Sequence, residues 1–285
     1  MTANVREIHV DEITAKVAEL CETATHILPD DVVAALQRAR GTEQSDLGKQ
    51  VLVEILENVE IAQKEMLPLC QDTGTAVVFV ELGQDVHVVG GSLVEAINKG
   101  VAKGYTEGYL RASIVEHPFS TRVNTKNNTP AVVHVDLVPG DKFKIKVLPK
   151  GGGCENMSRF TVLLPSAGKE PIAEFVLRAV EDSGGNACPP LIVGVGIGGS
   201  AEYAMYLAKK AVTRGVDKRA ADPETAEFEQ ELLEKVNALG VGPQAVGGVN
   251  TALAVNIETY PTHITALPVG VNLQCHSARQ KEAEL

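Results

Sequence analysis

The chain has 285 residues, 44% of them hydrophobic and 22% charged, with a formal net charge of −11, five cysteines and no tryptophan. That length allows one large domain or two ordinary ones, and the apolar fraction is enough for a core built mainly from Val, Leu, Ile and Ala. The acidic balance excludes a general nucleic-acid surface, which needs clustered Lys and Arg, and no apolar run reaches the roughly 18 residues that span a bilayer.

The polar N-terminus does not have the form of a signal peptide. The expectation is a cytoplasmic protein with neither membrane nor nucleic-acid partners, whose cysteines are thiols or metal ligands and not disulfides. A small anionic substrate remains compatible, because a few buried cations make a locally positive pocket on an acidic protein.

Residues 11–26 and 31–66 read as helical, the second from Val32, Val33, Leu36, Leu47, Val51, Leu52, Ile55 and Leu56 at helical intervals. Asp30 and Asp31 are candidate caps, Gly41-Thr42 interrupts the pattern, and Pro68 ends it just before Cys70. Residues 75–81 (TAVVFVE) and 85–89 (DVHVV) read as short strands joined by a glycine-containing turn. Helical spacing returns over 91–111, which places Arg111 at a helix C-terminus, where a cation complements the dipole. Residues 131–138 and 142–148 alternate around Pro139-Gly140-Asp141 and predict a hairpin. Gly151-Gly152-Gly153 is a loop, 171–183 a helix and 191–196 (LIVGVG) a buried strand. Helices follow at 200–214 and 223–239, then short strands at 249–257 and 263–271. With no linker, repeat or low-complexity segment, the pattern predicts one mixed α/β (α+β) domain over 1–285. It would have short mixed sheets, flanking helices and glycine-rich active-site loops.

The cysteines form no CxxC pair, so spacing alone supports neither a zinc ribbon nor a ferredoxin-like run. Cys21 falls inside a helical pattern and reads as a small core residue. Cys70, Cys188 and Cys275 fall in segments rich in turn formers, where binding residues gather, and Cys154 closes the triple-glycine loop. Asp72 offers a carboxylate beside Cys70, and His263 precedes Cys275. Gathered in one pocket, a Cys, an Asp and a His suit metal-assisted proton chemistry; alone, Asp72 is an Asx-turn residue and His263 a structural histidine. Lys150 enters the glycine run, whose N–H groups can form an anion-binding nest or simply a surface loop. Arg111 can clamp a carboxylate through two hydrogen bonds. Gly194-Val195-Gly196-Ile197-Gly198-Gly199 matches G-x-G-x-x-G, a dinucleotide signature only if a second strand follows the next helix, whereas a further helix reads there.

Taken in order, LCQDTG (69–74), EGYLR (107–111), NNTP (127–130), PKGGGCENMS (149–158), GNACPP (185–190), GVGIGGS (194–200) and PTHITALPVGVNLQCHSAR (261–279) resemble one family over nearly the whole chain. That family is the α subunit, or N-terminal catalytic domain, of class I iron–sulfur fumarases and tartrate dehydratases. The resemblance implies a [4Fe–4S] cluster held by Cys70, Cys188 and Cys275, with one iron left open as a Lewis acid. It implies substrate contacts from Gln71, Asp72, Arg111, Gly152 and His263, with Lys150 beside them and with Asp72 and His263 as catalytic groups. It implies hydration of fumarate to (S)-malate, or alternatively the tartrate dehydratase reaction. The family's C-terminal β-type domain is absent, so a separate β subunit and a dimer of αβ pairs are expected. Cys154 stands where the family commonly has Ser. Two other classes remain as alternatives: a nucleotide-binding oxidoreductase resting on residues 194–199, and a non-catalytic scaffold subunit.

Overall fold

A computed structural model describes residues 5–285. In chain order the elements are β1 (Arg6–His9), α1 (Val10–His26), α2 (Asp30–Thr42), α3 (Asp46–Glu65), β2 (Thr75–Gly83), β3 (Val86–Val89), α4 (Leu93–Glu107), β4 (Val132–Val138) and β5 (Phe143–Lys150). There follow α5 (Gly152–Glu155), β6 (Arg159–Leu163), α6 (Lys169–Ser183), β7 (Leu191–Gly199), α7 (Ala201–Ala211), α8 (Pro223–Ala238), β8 (Ala252–Thr262), β9 (Leu267–Gln274) and β10 (Lys281–Glu284). The mixed α/β class, with several short sheets and flanking helices, is as expected. The elements form two compact units, neither continuous in sequence. Unit 1 holds the described residues up to Leu28, Ile61–Gly151 and Arg279–Leu285; unit 2 holds Pro29–Glu60 and Gly152–Ala278. Among the described residues no helix is long and apolar enough to cross a membrane.

Unit 1 is built on the sheet β10-β5-β2-β4, with a separate parallel pair β1-β3. Ser92 caps α4 by accepting the Glu95 N–H, and the apolar stripes of α1 and α4 bury Ile13, Val17, Ile97 and Val101 with Val78, Val80, Phe143 and Ile145. The helices approach closely because Gly100 and Gly104 have no side chain; a Cβ would lie 2.7 Å from the Thr14 and Ala18 carbonyl oxygens respectively.

The expected hairpin is not formed. β4 and β5 are separated by β2, which runs parallel to β4 and antiparallel to β5. The Pro139-Gly140-Asp141 turn instead arches past the end of β2, where the Gly83 N–H donates to the Lys142 carbonyl and the Asp85 N–H to the Gly140 carbonyl. Alternation marks which face of a strand is buried and does not name its partner. The polar C-terminal tail forms the edge strand β10, held to β5 by cross-strand pairs of Glu282 with Lys144 (2.8 Å) and Lys146 (3.0 Å).

Unit 2 is built on the sheet β6-β9-β7-β8, with β7 antiparallel to β9 and parallel to β8. Successive residues of β7 face opposite sides. Val193 and Val195 join Val176 and Val180 of α6, Leu232 and Val236 of α8, and Val269 and Val271 of β9 in one core. Gly194 and Gly196 face α7, where a Cβ would lie 2.2 Å from the Ala208 carbonyl oxygen and 2.0 Å from that of Ala204. Gly198 and Gly199 close against Tyr260 and Tyr203. The G-x-G-x-x-G match is therefore a floor for a closely packed helix. The chain then runs through α8 to reach β8, without the strand directly after α7 that a dinucleotide unit requires. The oxidoreductase alternative loses its basis.

Candidate active site

In unit 1 the segment 70–74 is fixed by buried polar groups. The Tyr105 hydroxyl donates to the Thr73 carbonyl at 2.7 Å, and Asn128 Nδ2 donates to the Gly74 carbonyl at 3.0 Å. Arg279, 1% exposed, donates through Nη1 to the Asp72 carbonyl. At the start of the segment the Leu69 N–H donates to the Thr25 carbonyl at the end of α1. Gly74 is needed here for two reasons. Its φ is +76°, and a Cβ would lie 2.7 Å from the Lys150 backbone.

Asp72 Oδ1 accepts the Gly74 N–H at 3.0 Å, which is the Asx turn expected of that residue. The Thr73 hydroxyl donates to the Arg111 carbonyl at 3.0 Å and so fastens Arg111 to the same loop. Arg111 does not end a helix. α4 stops at Glu107, and the chain turns at Tyr109, whose φ is +53°. A helix dipole therefore does not account for this arginine. Its guanidinium is exposed and has no partner among the described residues. Unit 1 thus places exposed Cys70, Gln71 and Arg111 and half-buried Asp72 on one loop cluster, with buried Lys150 against Gly74.

In unit 2 four turns meet at the end of the sheet where β9 finishes and β7 begins. The Gly152–Glu155 turn, read from sequence as a loop, is one helical turn, and a Cβ on Gly153 would lie 2.9 Å from the Asn186 carbonyl oxygen. Glu155 ties this turn to β9 by accepting from Asn272 Nδ2 at 3.0 Å, and it pairs with Lys209. Cys188 sits in the left-handed region at φ +53°, and its carbonyl accepts the His276 N–H at 3.2 Å, next to Cys275. The loop 241–251 completes the end, with Gln244 donating to the Pro189 carbonyl.

That loop is anchored by Glu43, 3% exposed, which accepts from the N–H groups of Gln44, Ser45, Val249 and Asn250 and from Asn250 Nδ2. Burial alone would raise its pKa, but these donors, with those of Ser45 and Asn250 foremost, hold it below the ordinary carboxylate value of 4.5. The carboxylate therefore stabilises the fold fully above that value, and its contribution is lost as the pH falls through the depressed folded pKa. Glu43→Gln is expected to lower the urea midpoint at pH 7 and to flatten its fall below pH 4.5. An acid limb as steep as that of the parent protein would refute this.

His263 is not with these residues. It lies exposed before β9, its Nδ1 accepting the Thr265 N–H at 3.2 Å, whereas Cys275 follows β9. Eight residues of extended strand set the two ends of β9 about 24 Å apart. Spacing in sequence suggested nearness, but strand geometry makes separation.

The five cysteines divide by exposure. Cys21 is 0% exposed, with its thiol pushed up to about 12 by burial and by neighbouring Glu22, and Cys154 is 3% exposed within the core of unit 2. Cys70 is exposed, and Cys188 and Cys275 are half-buried. Soft sulfur donors accessible in turns suit an iron–sulfur centre, and buried neutral thiols do not. The donor chemistry of Cys70, Cys188 and Cys275 fits such a group. Among the described residues no three His, Cys, Asp or Glu side chains are gathered as a metal site. The Gln274 side chain beside Cys275 also carries a buried Oε1 with no hydrogen-bond partner among the described residues.

Sequence reading missed Tyr105, Asn128, Arg279, Gln244 and Glu43. Tyr105 looked like one more apolar position of a helix, and Asn128 and Arg279 lie in quoted motifs without a role. Nothing in the sequence marks Gln244 or Glu43.

The sequence profile described as fumarate hydratase (Fumerase) matches residues 14–284. Over 277 residues the chain is 42% identical to a Methanocaldococcus jannaschii protein named "Putative L(+)-tartrate dehydratase subunit alpha", covering 94% of this chain and 96% of that one. It is 34% identical over 283 residues to the L(+)-tartrate dehydratase subunit alpha of Escherichia coli K12, covering 98% and 93%. Motif order, the partition of the cysteines and near end-to-end similarity agree: this chain belongs to the fumarate hydratase (Fumerase) family.

Proposed function

We propose that the chain is the α subunit of an iron–sulfur hydro-lyase that dehydrates L(+)-tartrate, acting with a separate β subunit. The supporting observation is similarity over almost the full length of proteins themselves named as tartrate dehydratase α subunits. Hydration of fumarate, the expectation from motifs, has the family's name behind it and stands second.

Cys70, Cys188 and Cys275 would hold the cluster, which when bound supplies Lewis-acid polarisation of the C–O bond that breaks. The chain's own residues bind and orient. Arg111, with no competing partner among the described residues, grips a substrate carboxylate through its guanidinium. Gln71 offers its amide from the same loop, and Lys150 adds positive charge beneath it. The N–H groups around Gly152 stabilise negative charge that develops as the proton on the neighbouring carbon is lost. Asp72, held in orientation by the Gly74 N–H, takes part in that proton transfer. His263 is the second proton-handling group, and the length of β9 means that it could meet the Cys275 end of the sheet only from another copy of the chain. A dimer of αβ pairs would provide one, and light scattering on the purified complex tests that stoichiometry.

The decisive experiment is anaerobic reconstitution with iron and sulfide in the presence of a β subunit of the tartrate dehydratase type, followed by assay on L(+)-tartrate and fumarate. A kcat/KM at least about tenfold higher on tartrate is expected. A preference for fumarate supports the second reading, and inactivity on both defeats the proposal. Cys275→Ala is expected to lose the visible absorption band and about a thousandfold in kcat, whereas Cys21→Ala keeps both. An active Cys275→Ala enzyme with its band intact would remove that ligand from the set.

A further inference from the structure

Gln244 lies outside every motif that marks the site, yet it is the node at which the two thiol-bearing turns of unit 2 are joined. Its backbone N–H and its Nε2 both donate to the Pro189 carbonyl, at 2.8 and 2.9 Å. The same Nε2 lies 3.1 Å from His276 Nδ1. His276 in turn donates its backbone N–H to the Cys188 carbonyl at 3.2 Å. One amide therefore touches the residue after Cys188 and the residue after Cys275.

The local backbone is held in an unfavourable form around this contact. Gln244, Ala245 and Cys188 all have φ in the left-handed region, at +48°, +60° and +53°. Non-glycine residues persist there only where their surroundings over-determine them, and such residues cluster where geometry serves function. The far end of the same loop is clamped by Glu43 through Val249 and Asn250, and the Gly242 N–H donates to Thr251 Oγ1 at 3.1 Å. Gln244 is thus presented from a braced loop.

The orientation of the amide is fixed by its partner. Pro189 offers only an acceptor, so the amide must turn Nε2 towards it, and Nε2 can only donate. His276 Nδ1 lies 3.1 Å from this Nε2 and 3.1 Å from the Cys188 carbonyl, so the imidazole edge is seated between the Gln244 amide and the Cys188 turn.

We propose that Gln244 is a positioning residue that holds the Cys188 and Cys275 turns in fixed register, so that their thiols are presented as a pair to a soft-metal centre. Its bearing on catalysis rests on the hydro-lyase reading, but the fixed thiol pair can be tested on the full chain without metal. Chelator-treated protein is exposed anaerobically to dibromobimane, which fluoresces when it bridges two thiols, and the bridged peptides are mapped. Bridging of Cys188 to Cys275 is expected in the parent protein. Gln244→Leu, of similar size but without donors, is expected to slow it about fivefold or more, the factor for losing hydrogen bonds of ordinary strength. Labelling of the same thiols by monobromobimane should be unchanged. Equal bridging in both proteins, or none in the parent, overturns the proposal. Should Gln244→Leu fail to fold, Gln244→Met, unbranched and also without donors, takes its place: slowed bridging supports the proposal and bridging at the parent rate overturns it. Bridging that depends on Gln244 in a chain without hydro-lyase activity would leave the positioning role standing and remove only the functional reading.

Discussion

Replacing Gly196 by alanine is expected to destabilise the protein by about 3 kcal/mol, the upper end of the usual cost of overpacking a core. The added Cβ would lie 2.0 Å from the Ala204 carbonyl oxygen, 2.5 Å from the Ala208 nitrogen and 2.8 Å from Leu207 Cβ. The first two are backbone atoms of α7, so no side-chain rotation relieves the clash and the helix must move off the sheet. That movement would also disturb Gly194 and Gly270, whose missing side chains admit the same helix. Gly41, in the last turn of α2, is the control, because nothing lies within 4 Å of a Cβ there. Gly41→Ala is expected to leave stability unchanged or raise it by about 0.5–1 kcal/mol, through helix propensity. Urea midpoints measure both. A Gly196→Ala midpoint equal to that of the parent would mean that α7 does not depend on the glycine floor.

Glu229→Ala is expected to cost about 3–5 kcal/mol, the range for removing one partner of a buried ion pair. Glu229 is 0% exposed, and its carboxylate accepts charge-assisted hydrogen bonds. Oε1 accepts from Arg214 Nη2 and from the Ile257 N–H at 2.8 Å, and Oε2 accepts the Ala220 N–H at 2.9 Å. One side chain on α8 thereby ties down β8 and the segment after α7. Its removal leaves the Ile257 and Ala220 N–H groups without this acceptor and leaves Arg214 only Glu258, at 3.2 Å, and the Ile257 carbonyl, while its Nε already lacks a partner among the described residues. The Lys235–Glu231 pair on the same helix is the contrast, with side chains 32% and 45% exposed. Glu231→Ala should change stability by less than about 1 kcal/mol, because solvent screens an exposed pair. Chemical denaturation of the two variants gives the comparison. If Glu229→Ala stays within about 1 kcal/mol of the parent, the network is not the anchor described.

These two residues mark the limit of what could be read without the fold. Gly196 was visible as part of a glycine pattern, but the reason for it lies in Ala204, on an element the motif does not include. Glu229 was invisible, because a charged residue in a strongly charged helix reads as solvent-facing until a partner is found beneath it. Arg111 was found, and its setting was misread. Helical spacing carried the expected helix past Glu107 because Tyr109 and Leu110 are apolar, although the chain turns at Gly108 and Tyr109.

The sequence by itself determined the mixed class of the fold, the strongly periodic helices α1, α6 and α8, the interruption between α2 and α3, and the turn settings of Cys70, Cys188 and Cys275. These are local properties: periodicity reports which face of an element is buried, and turn formers report where the chain bends. Only the tertiary structure decided that β2 lies between β4 and β5, that His263 and Cys275 lie beyond opposite ends of one strand, that Cys154 is a core residue, and that Gln244 joins the two thiol turns. Each of these depends on what a residue meets across space. A linear pattern carries the tendency to bury or expose a side chain, and the partner that receives it is chosen by the packing of the whole chain.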